Sequence, residues 1–380
     1  MVAIIFIIFI CPIILCGCWN YREIDTLAIV AGMAIDKNVV TNKYIITTEI
    51  ITTQSQGGLS TLNSKIYTAE GDSVFSAVRN TIDKTGLKLF WSGAKVVILS
   101  KSVACEGVIP AIDWTNRSSD VRADMWVLIS KGNTAAEILK TKSSFNQITS
   151  YYIDEAMQTG RTLSKYTDSR LWSVVDAISS EGKAQAVTTI ENTLHDGNIE
   201  PTIGGCAIFK GDKLVGYLDD NETKYMLMIK NKTKEGLINL KDVSGSGTGI
   251  TLEIDENKTK LTPIYNNGTA SMLIDIYPDV TIQEVEGSKD FMKEDNLKIL
   301  QSEAQKRIKY QVQQLITKLQ KDYDSDVLGF GEIFKEEKPK VAENYKKNGE
   351  DIFENLKTVI NVHLNISGTG RTTDPISLGK

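Results

Sequence analysis

Apolar and polar positions in the first half of the chain alternate between strand-like and helix-like spacing. The apolar run 27–35 and the β-branched segment 44–53 predict a β-hairpin across residues 36–42, and the polar segment 54–63 is expected to be an exposed loop. Further strands are predicted at 95–99, 125–130 and 186–193. Helices are predicted at 73–86, near 108–112, at 135–139 and within 145–180. This alternation predicts an α/β or α+β unit.

The second half has the strongest periodic signal in the chain. Apolar residues between Leu297 and Tyr323 recur at three- and four-residue steps, which predicts one face of a long amphipathic helix. That face could pack on the protein's own sheet or be shared with a partner subunit. Strands are predicted at 207–217 (a hairpin), 237–240, 249–254, 271–285 and 359–366.

These patterns predict a multi-domain α+β protein with antiparallel or mixed sheets and packed helices. The turn-rich segment 195–201 is the expected boundary between an N-terminal α/β region, 18–197, and a C-terminal α+β domain, 202–375, in which one long helix lies on a sheet. The N-terminal region is one domain or two, the second mainly helical near 140–180.

The first residues have the pattern of an export signal followed by an acylation site. Residues 1–17 carry no charged side chain and are shorter than the roughly 20 apolar residues that a transmembrane helix needs. Gly17 stands directly before Cys18, as in a bacterial lipobox, so we predict a signal peptide at 1–17 and lipidation of Cys18. An uncleaved anchor and a buried apolar strand are the alternatives. Residues 1–3 lack the usual positive charge, which leaves the start codon open.

Composition excludes several classes of protein. The formal net charge is −5, with both signs interspersed, which does not suit nucleic-acid binding. Hydrophobic content of 41% and charged content of 24% are ordinary for a folded chain. Cys105 and Cys206 are expected to be small buried side chains and not a disulfide.

The sequence offers no catalytic or metal-binding motif. His195 and His363 have no cysteine or carboxylate neighbour at metal-ligand spacing, and no Gly-x-Ser-x-Gly elbow is present. The glycine-rich segment 244–249 lacks the following lysine and helix of a phosphate-binding loop. We therefore expect no enzymatic activity, no metal and no cofactor.

Arg117 and Arg122 bracket a polar segment between a predicted helix and a predicted strand. They could form internal salt bridges that stabilise this loop, or they could contact another subunit.

Several segments, in order, resemble one family. They are the start Gly-Cys-Trp-Asn-Tyr-Arg-Glu-Ile-Asp at 17–25, the Ala-Ile-Val-x-Gly-x-x-Ile-Asp run at 28–36, Phe-Trp-Ser-Gly-Ala-Lys-Val-Val at 90–97, the paired-arginine segment 117–122 with the helix at 136–139, and the segments 207–217, 328–331 and 368–370. Together they resemble the C subunit of spore nutrient germinant receptors, the Ger(x)C lipoproteins.

The resemblance implies a non-enzymatic subunit anchored by acyl chains such as palmitate at Cys18, on the outer face of the spore inner membrane. It would assemble with integral membrane A and B subunits to trigger germination. Trp19, Arg22 and Glu23, together with Arg117 and Arg122, are the candidate partner contacts. Which nutrient is sensed, and whether this subunit touches it, stays open. The alternatives are an exported solute-binding lipoprotein that captures a small nutrient itself, and a cell-wall hydrolase.

Overall fold

The computed structural model describes residues 26–56, 59–143, 145–180, 184–287, 289–291, 293–347 and 351–369. These ranges contain two mixed β-sheets and ten α-helices, so the predicted α+β class with packed helices is confirmed.

The strands are β1 Leu27–Lys37, β2 Tyr44–Gln56, β3 Leu59–Gly71, β4 Lys88–Phe90, β5 Val96–Leu99, β6 Trp126–Ser130, β7 Gln185–His195, β8 Asn198–Lys210, β9 Lys213–Leu218, β10 Leu237–Leu240, β11 Gly249–Asn266, β12 Thr269–Glu286, β13 Lys357–Val362 and β14 Asn365–Thr369. The helices are α1 Val74–Thr85, α2 Lys101–Glu106, α3 Ile109–Arg117, α4 Ala136–Lys140, α5 Thr149–Thr159, α6 Leu171–Ser179, α7 Asp220–Ile229, α8 Glu294–Lys321, α9 Phe330–Glu337 and α10 Pro339–Lys347.

The large sheet has the strand order β3-β2-β1-β5-β6-β7-β8-β9, with β4 paired to the start of β1. Its centre is parallel, because β1, β5, β6 and β7 run in one direction, while the strands outside them pair as antiparallel hairpins. The predicted first hairpin is confirmed by the β1–β2 pairing.

Helices cover both faces of the large sheet, and the central strands are buried on both sides. Successive residues of β5 alternate between the two cores: Val97 packs with α1, α2, α3 and α6, and Ile98 packs with α4 and α5. Such near-continuous apolar strands are typical of parallel sheets that lie between two helix layers.

The second sheet has the order β10-β11-β12-β13, with β14 also paired to β12. The strands β11 and β12 form a hairpin of two 18-residue strands. The predicted long helix is α8, which has 28 residues and is about 42 Å long at 1.5 Å per residue. Its apolar stripe is buried in the core of this sheet, so this face of α8 packs on the protein's own sheet.

The two sheets are joined by direct packing. Cys206 and Leu218, from the hairpin β8–β9, belong to the same apolar core as α7 and α8. Tyr323, two residues after the end of α8, also contacts the large sheet: its hydroxyl donates a hydrogen bond to the Tyr217 carbonyl on β9 at 2.7 Å. The expected boundary segment 195–201 lies around the β7–β8 turn of the large sheet. The division of the chain into an N-terminal region that ends at 197 and a C-terminal domain that begins at 202 remains a prediction.

Two local predictions are wrong. Residues 54–56 and 59–63 are not a loop, because they belong to β2 and β3, whose backbones pair as far as Gln56 and Leu59. The β-branched threonines in this segment favour extended backbone. The helices predicted within 145–180 are present as α5 and α6, with a short 3-10 helix, Gly160–Leu163, directly after α5. Cys105 is exposed, although Cys206 is buried as expected.

The last predicted strand, 359–366, is divided into β13 and β14, both parallel to β12. The pairing stops at Ile276 and resumes at Asp279, across Pro278, which has no N–H to donate. In that gap the backbone N–H of His363 donates to the Ile276 carbonyl at 2.8 Å.

Candidate functional site

A charged cleft of about 460 Å³ lies at the end of the large sheet where its central parallel strands begin. Lys95 directly precedes β5, and Asp124 directly precedes the segment that leads into β6. Helix α5 supplies Asp154, and Arg170 stands immediately before α6. We call this site the charged cleft; Ser92 and Arg122 complete its polar lining.

The inner wall of the charged cleft is organised by Trp126. This side chain is fully buried, and its indole N–H donates to Asp154 Oδ1 at 2.8 Å. The other carboxylate oxygen of Asp154 lies 3.2 Å from Lys95 Nζ. Burial alone would raise the pKa of Asp154, but hydrogen bonds from Gln158, Trp126 and Lys95 outweigh it and hold the pKa below its ordinary value. Asp154 is therefore a fixed carboxylate.

Arg170 closes the wall from the other side. Its guanidinium lies over the Trp126 ring, 3.4 Å from the ring centroid, in the geometry of a cation–π contact. It also donates a hydrogen bond to the Asp124 carbonyl and lies 3.7 Å from Asp168 Oδ1. The indole is thus held between an arginine on its face and a carboxylate on its edge.

Arg122 lies at the exposed rim of the charged cleft. Its guanidinium donates to both carboxylate oxygens of Asp124, at 2.9 and 2.7 Å, in a bidentate pair. The hydrogen bond from Arg122 is the main reason that the pKa of Asp124 lies below its ordinary value. Both side chains remain more than half exposed, so the pair presents charge to the surroundings.

Arg117 is not part of the charged cleft. It pairs with Asp113 on its own helix α3 at 2.7 Å and is 76% exposed. Both predicted arginines thus have nearby aspartate partners, which agrees with the internal salt-bridge alternative. Exposed ion pairs of this kind contribute little to the stability of a folded protein.

The predicted cleavage and lipidation sites, Gly17 and Cys18, and the remaining predicted contacts, Trp19, Arg22 and Glu23, lie outside the described residues. Neither histidine lines the charged cleft. His195 bonds Thr193 and Thr202 near the β7–β8 turn, and His363 stacks on Tyr277. Within the described ranges no group of three or more His, Cys, Asp or Glu side chains could hold a metal ion.

Sequence reasoning missed most of the charged cleft. Lys95, Asp154 and Arg170 are far apart in the sequence and share no local motif, so only the fold brings them together. The one available signal was Trp126, whose indole N–H needs a hydrogen-bond partner when a strand is buried on both faces.

The described helices include none that is long and apolar enough to cross a membrane.

Two family models match the chain in sequence order. A spore germination protein N-terminal domain matches residues 20–191, and the spore germination B3/GerAC-like C-terminal model matches residues 204–370. Between them they span nearly all of the described chain. The chain therefore belongs to the Ger(x)C family of spore germination proteins.

Relatives in Bacillus subtilis (strain 168) align over most of their length. The chain is 25% identical to the putative spore germination protein YfkR, over 91% of each chain. It is 22% identical to spore germination protein KC, over 96% of this chain and 95% of the relative, and 23% identical to spore germination protein B3, over 91% and 92%. The crystal structure of the GerBC protein has the same fold, with a TM-score of 0.57 at 19% identity, over 88% of this chain and 97% of that one.

Proposed function

We propose that this chain is the lipid-anchored, non-enzymatic C subunit of a spore nutrient germinant receptor. It is attached through Cys18 to the outer face of the spore inner membrane and assembles with the integral membrane A and B subunits. The observation that carries the proposal is the match of both germination family models, in order, across residues 20–191 and 204–370.

The relatives support a place in a receptor. Spore germination proteins KC, B3 and A3 all align with the chain, the first two over more than nine-tenths of it.

The position of β1 supports an orientation for the anchored subunit. Leu27 lies nine positions after Cys18, and a chain of that length spans at most about 30 Å. Because β1, β5 and β6 are parallel, Leu27 begins β1 at the same end of the strands as the charged cleft. The short tether therefore keeps the charged cleft close to the membrane, within reach of membrane-embedded partners.

The chemistry of the charged cleft suits a contact surface better than a reaction centre. Lys95 and Arg122 each face a carboxylate, and Arg170 is held by a ring and a carbonyl. The side chains are fixed by one another, and the exposed pair Arg122–Asp124 offers both signs of charge to a partner.

Replacing the acylated cysteine tests the anchor. We expect Cys18→Ala to move the protein from the membrane fraction of spores to the soluble fraction, and to reduce nutrient-triggered germination. Cys105→Ala, at an exposed cysteine within the described chain, is the matched control and should leave both unchanged. Full membrane retention and normal germination of Cys18→Ala would overturn the proposed anchor.

A further inference from the structure

A second cleft, of about 430 Å³, lies on the other half of the molecule between α7, α8 and β10. Its polar lining includes Lys224 from α7, Arg307 from α8, Asn239 from β10 and Lys241 directly after it. We call it the basic cleft. Its volume is within the range of about 300–1,000 Å³ in which small-molecule sites usually fall.

Two cations face the basic cleft without a carboxylate partner. Arg307 is exposed, and neither Arg307 nor Lys224 takes part in an ion pair within the described chain. The Lys224 ammonium donates one hydrogen bond, to the Leu237 carbonyl at 2.5 Å, which leaves two of its three N–H groups for other acceptors.

The carboxylates that line the basic cleft are engaged elsewhere. Glu303 pairs with Lys306 on the same helix at 3.0 Å. Asp242 accepts a hydrogen bond from the Gly247 backbone N–H at 2.8 Å, where it fixes the following turn. The lining thus holds three cations, Lys224, Lys241 and Arg307, against these two carboxylates, so positive charge is in excess.

Packing around the basic cleft holds Lys224 in place. The Lys224 ammonium lies 5.0 Å from the centroid of the buried Tyr225 ring, and the stem of Lys224 runs past Gly236. Burial is the main cause that lowers the pKa of Lys224 to about 8, and the positive charge of Arg307 adds to it. Two like charges in a partly desolvated cleft repel each other, and an anion between them would relieve that repulsion.

We propose that the basic cleft binds a small organic anion through a carboxylate or phosphate group, with the Arg307 guanidinium and the Lys224 ammonium as its charged contacts. A guanidinium suits either group because its planar fork can donate two parallel hydrogen bonds. The Asn239 amide lines the same cleft and can donate or accept a hydrogen bond from the rest of the ligand. This site is separate from the charged cleft and does not depend on receptor assembly.

The test uses the full chain, purified in a non-ionic detergent, and isothermal titration calorimetry at fixed ionic strength and pH 7. The probes are inorganic phosphate and citrate, with an uncharged sugar as the negative control. We expect at least one of the two anions to bind, and its identity distinguishes a phosphate site from a carboxylate site. Arg307→Gln should weaken that binding about tenfold or more, the usual effect of losing a charge-assisted bidentate contact.

Lys309→Gln is the matched control, because Lys309 is an exposed cation on the same helix that does not line the basic cleft. It removes the same charge and should change the affinity less than about twofold, as a surface charge screened by salt would. Absence of binding by both anions would overturn the proposal. Equal weakening by Arg307→Gln and Lys309→Gln would also overturn it, because it would mean general charge attraction.

A pH series gives a second readout that does not depend on a variant. The charged groups around Lys224 are Asp219 immediately before α7, Arg307 and Glu303 on α8, and Lys241 and Asp242 next to β10. Because the pKa of Lys224 is lowered to about 8, we expect the affinity for the anion to fall between pH 7 and pH 9 as Lys224 loses its proton. An affinity that does not change over this interval would show that Lys224 does not contact the anion.

Discussion

The Glu49 carboxylate on β2 accepts a hydrogen bond from the Ser150 hydroxyl at 2.6 Å, in the first turn of α5. It also accepts the backbone N–H groups of Ser150 and Thr149, at 2.8 and 2.9 Å. Helix α5 has no capping side chain of its own, so a buried carboxylate 100 residues away supplies the cap. Asp36 on β1 does the same for α4, where it accepts the N–H groups of Ala135 and Ala136. Two strand carboxylates thus position the helix layer that carries Asp154.

We expect Glu49→Gln to lower the free energy of unfolding by about 2–3 kcal/mol, because hydrogen bonds to a charged acceptor are stronger than those to an amide and one amide end would meet N–H donors. Urea unfolding of the purified chain measures this. Glu70→Gln, at an exposed position on the neighbouring strand β3, is the control and should stay within about 0.5 kcal/mol of the wild type. Equal stability of both variants would mean that Glu49 is not the cap of α5.

Asp36 gives a prediction about pH. Burial raises the pKa of the Asp36 carboxyl, and the N–H groups of Ala135 and Ala136 and the Ser100 hydroxyl only partly oppose it. Because the pKa of Asp36 is higher in the folded state than in the unfolded state, Asp36 stabilises the folded state fully at a pH below its ordinary pKa. This stabilisation is lost as the pH rises through the raised pKa of the folded state. The stability deficit of Asp36→Asn relative to the wild type should therefore widen as the pH falls from 7 toward 4. Denaturant midpoints across that range measure it; a deficit that narrows would contradict it.

Gly32 on β1 leaves the space that Ser150 occupies. A Cβ at this position would overlap the Ser150 hydroxyl and a methyl group of Val96. We expect Gly32→Ala to destabilise the protein by about 1–3 kcal/mol, the usual cost of overpacking. At Gly132 a Cβ would meet its nearest neighbour at an ordinary 3.5 Å, so Gly132→Ala is the control. Thermal unfolding of the two variants should separate them; similar melting temperatures would argue against the close approach at Gly32.

The indole of Trp126 holds Asp154 in the charged cleft. Trp126→Phe leaves the Asp154 oxygen without its 2.8 Å donor and removes buried contacts, so we expect a loss of about 2–4 kcal/mol in the free energy of unfolding. Trp172→Phe, at a tryptophan that is 58% exposed, should change stability little. Guanidinium titrations of both variants test this, and an equal effect would contradict the anchoring role of Trp126.

Substitutions of Arg122 and Arg117 distinguish a role in binding membrane partners from a role in the stability of the fold. Both are exposed and paired with aspartate, so Arg122→Gln and Arg117→Gln should each change the free energy of unfolding little. Because Arg122 lies at the rim of the charged cleft, Arg122→Gln should reduce recovery of membrane partners with the tagged protein more than Arg117→Gln does. Arg79→Gln, an exposed arginine on α1, is the control. Undiminished recovery with Arg122→Gln would exclude this residue as a contact.

Local periodicity predicted the elements whose signals are contained in one segment. The buried stripe of α8 and the capping of α1 by Ser73 follow from side chains a few residues apart. The Glu49–Ser150 cap could not be predicted, because the sequence does not show whether an acidic residue on a strand is exposed to solvent or accepts hydrogen bonds from the start of a helix. The charged cleft depends on the order of the parallel strands, which brings Lys95, just before β5, next to the segment just before β6 only after folding. The gap between β13 and β14 reflects Pro278 on another strand.

Affinity purification of a tagged copy from dormant-spore membranes, followed by mass spectrometry of the co-purifying proteins and of the N-terminal peptide, tests the central claim most directly. We predict an N-terminal peptide that begins at an acylated Cys18, together with two multi-spanning membrane proteins. An acylated Cys18 without membrane partners would contradict the receptor assignment and favour a free-standing nutrient-binding lipoprotein.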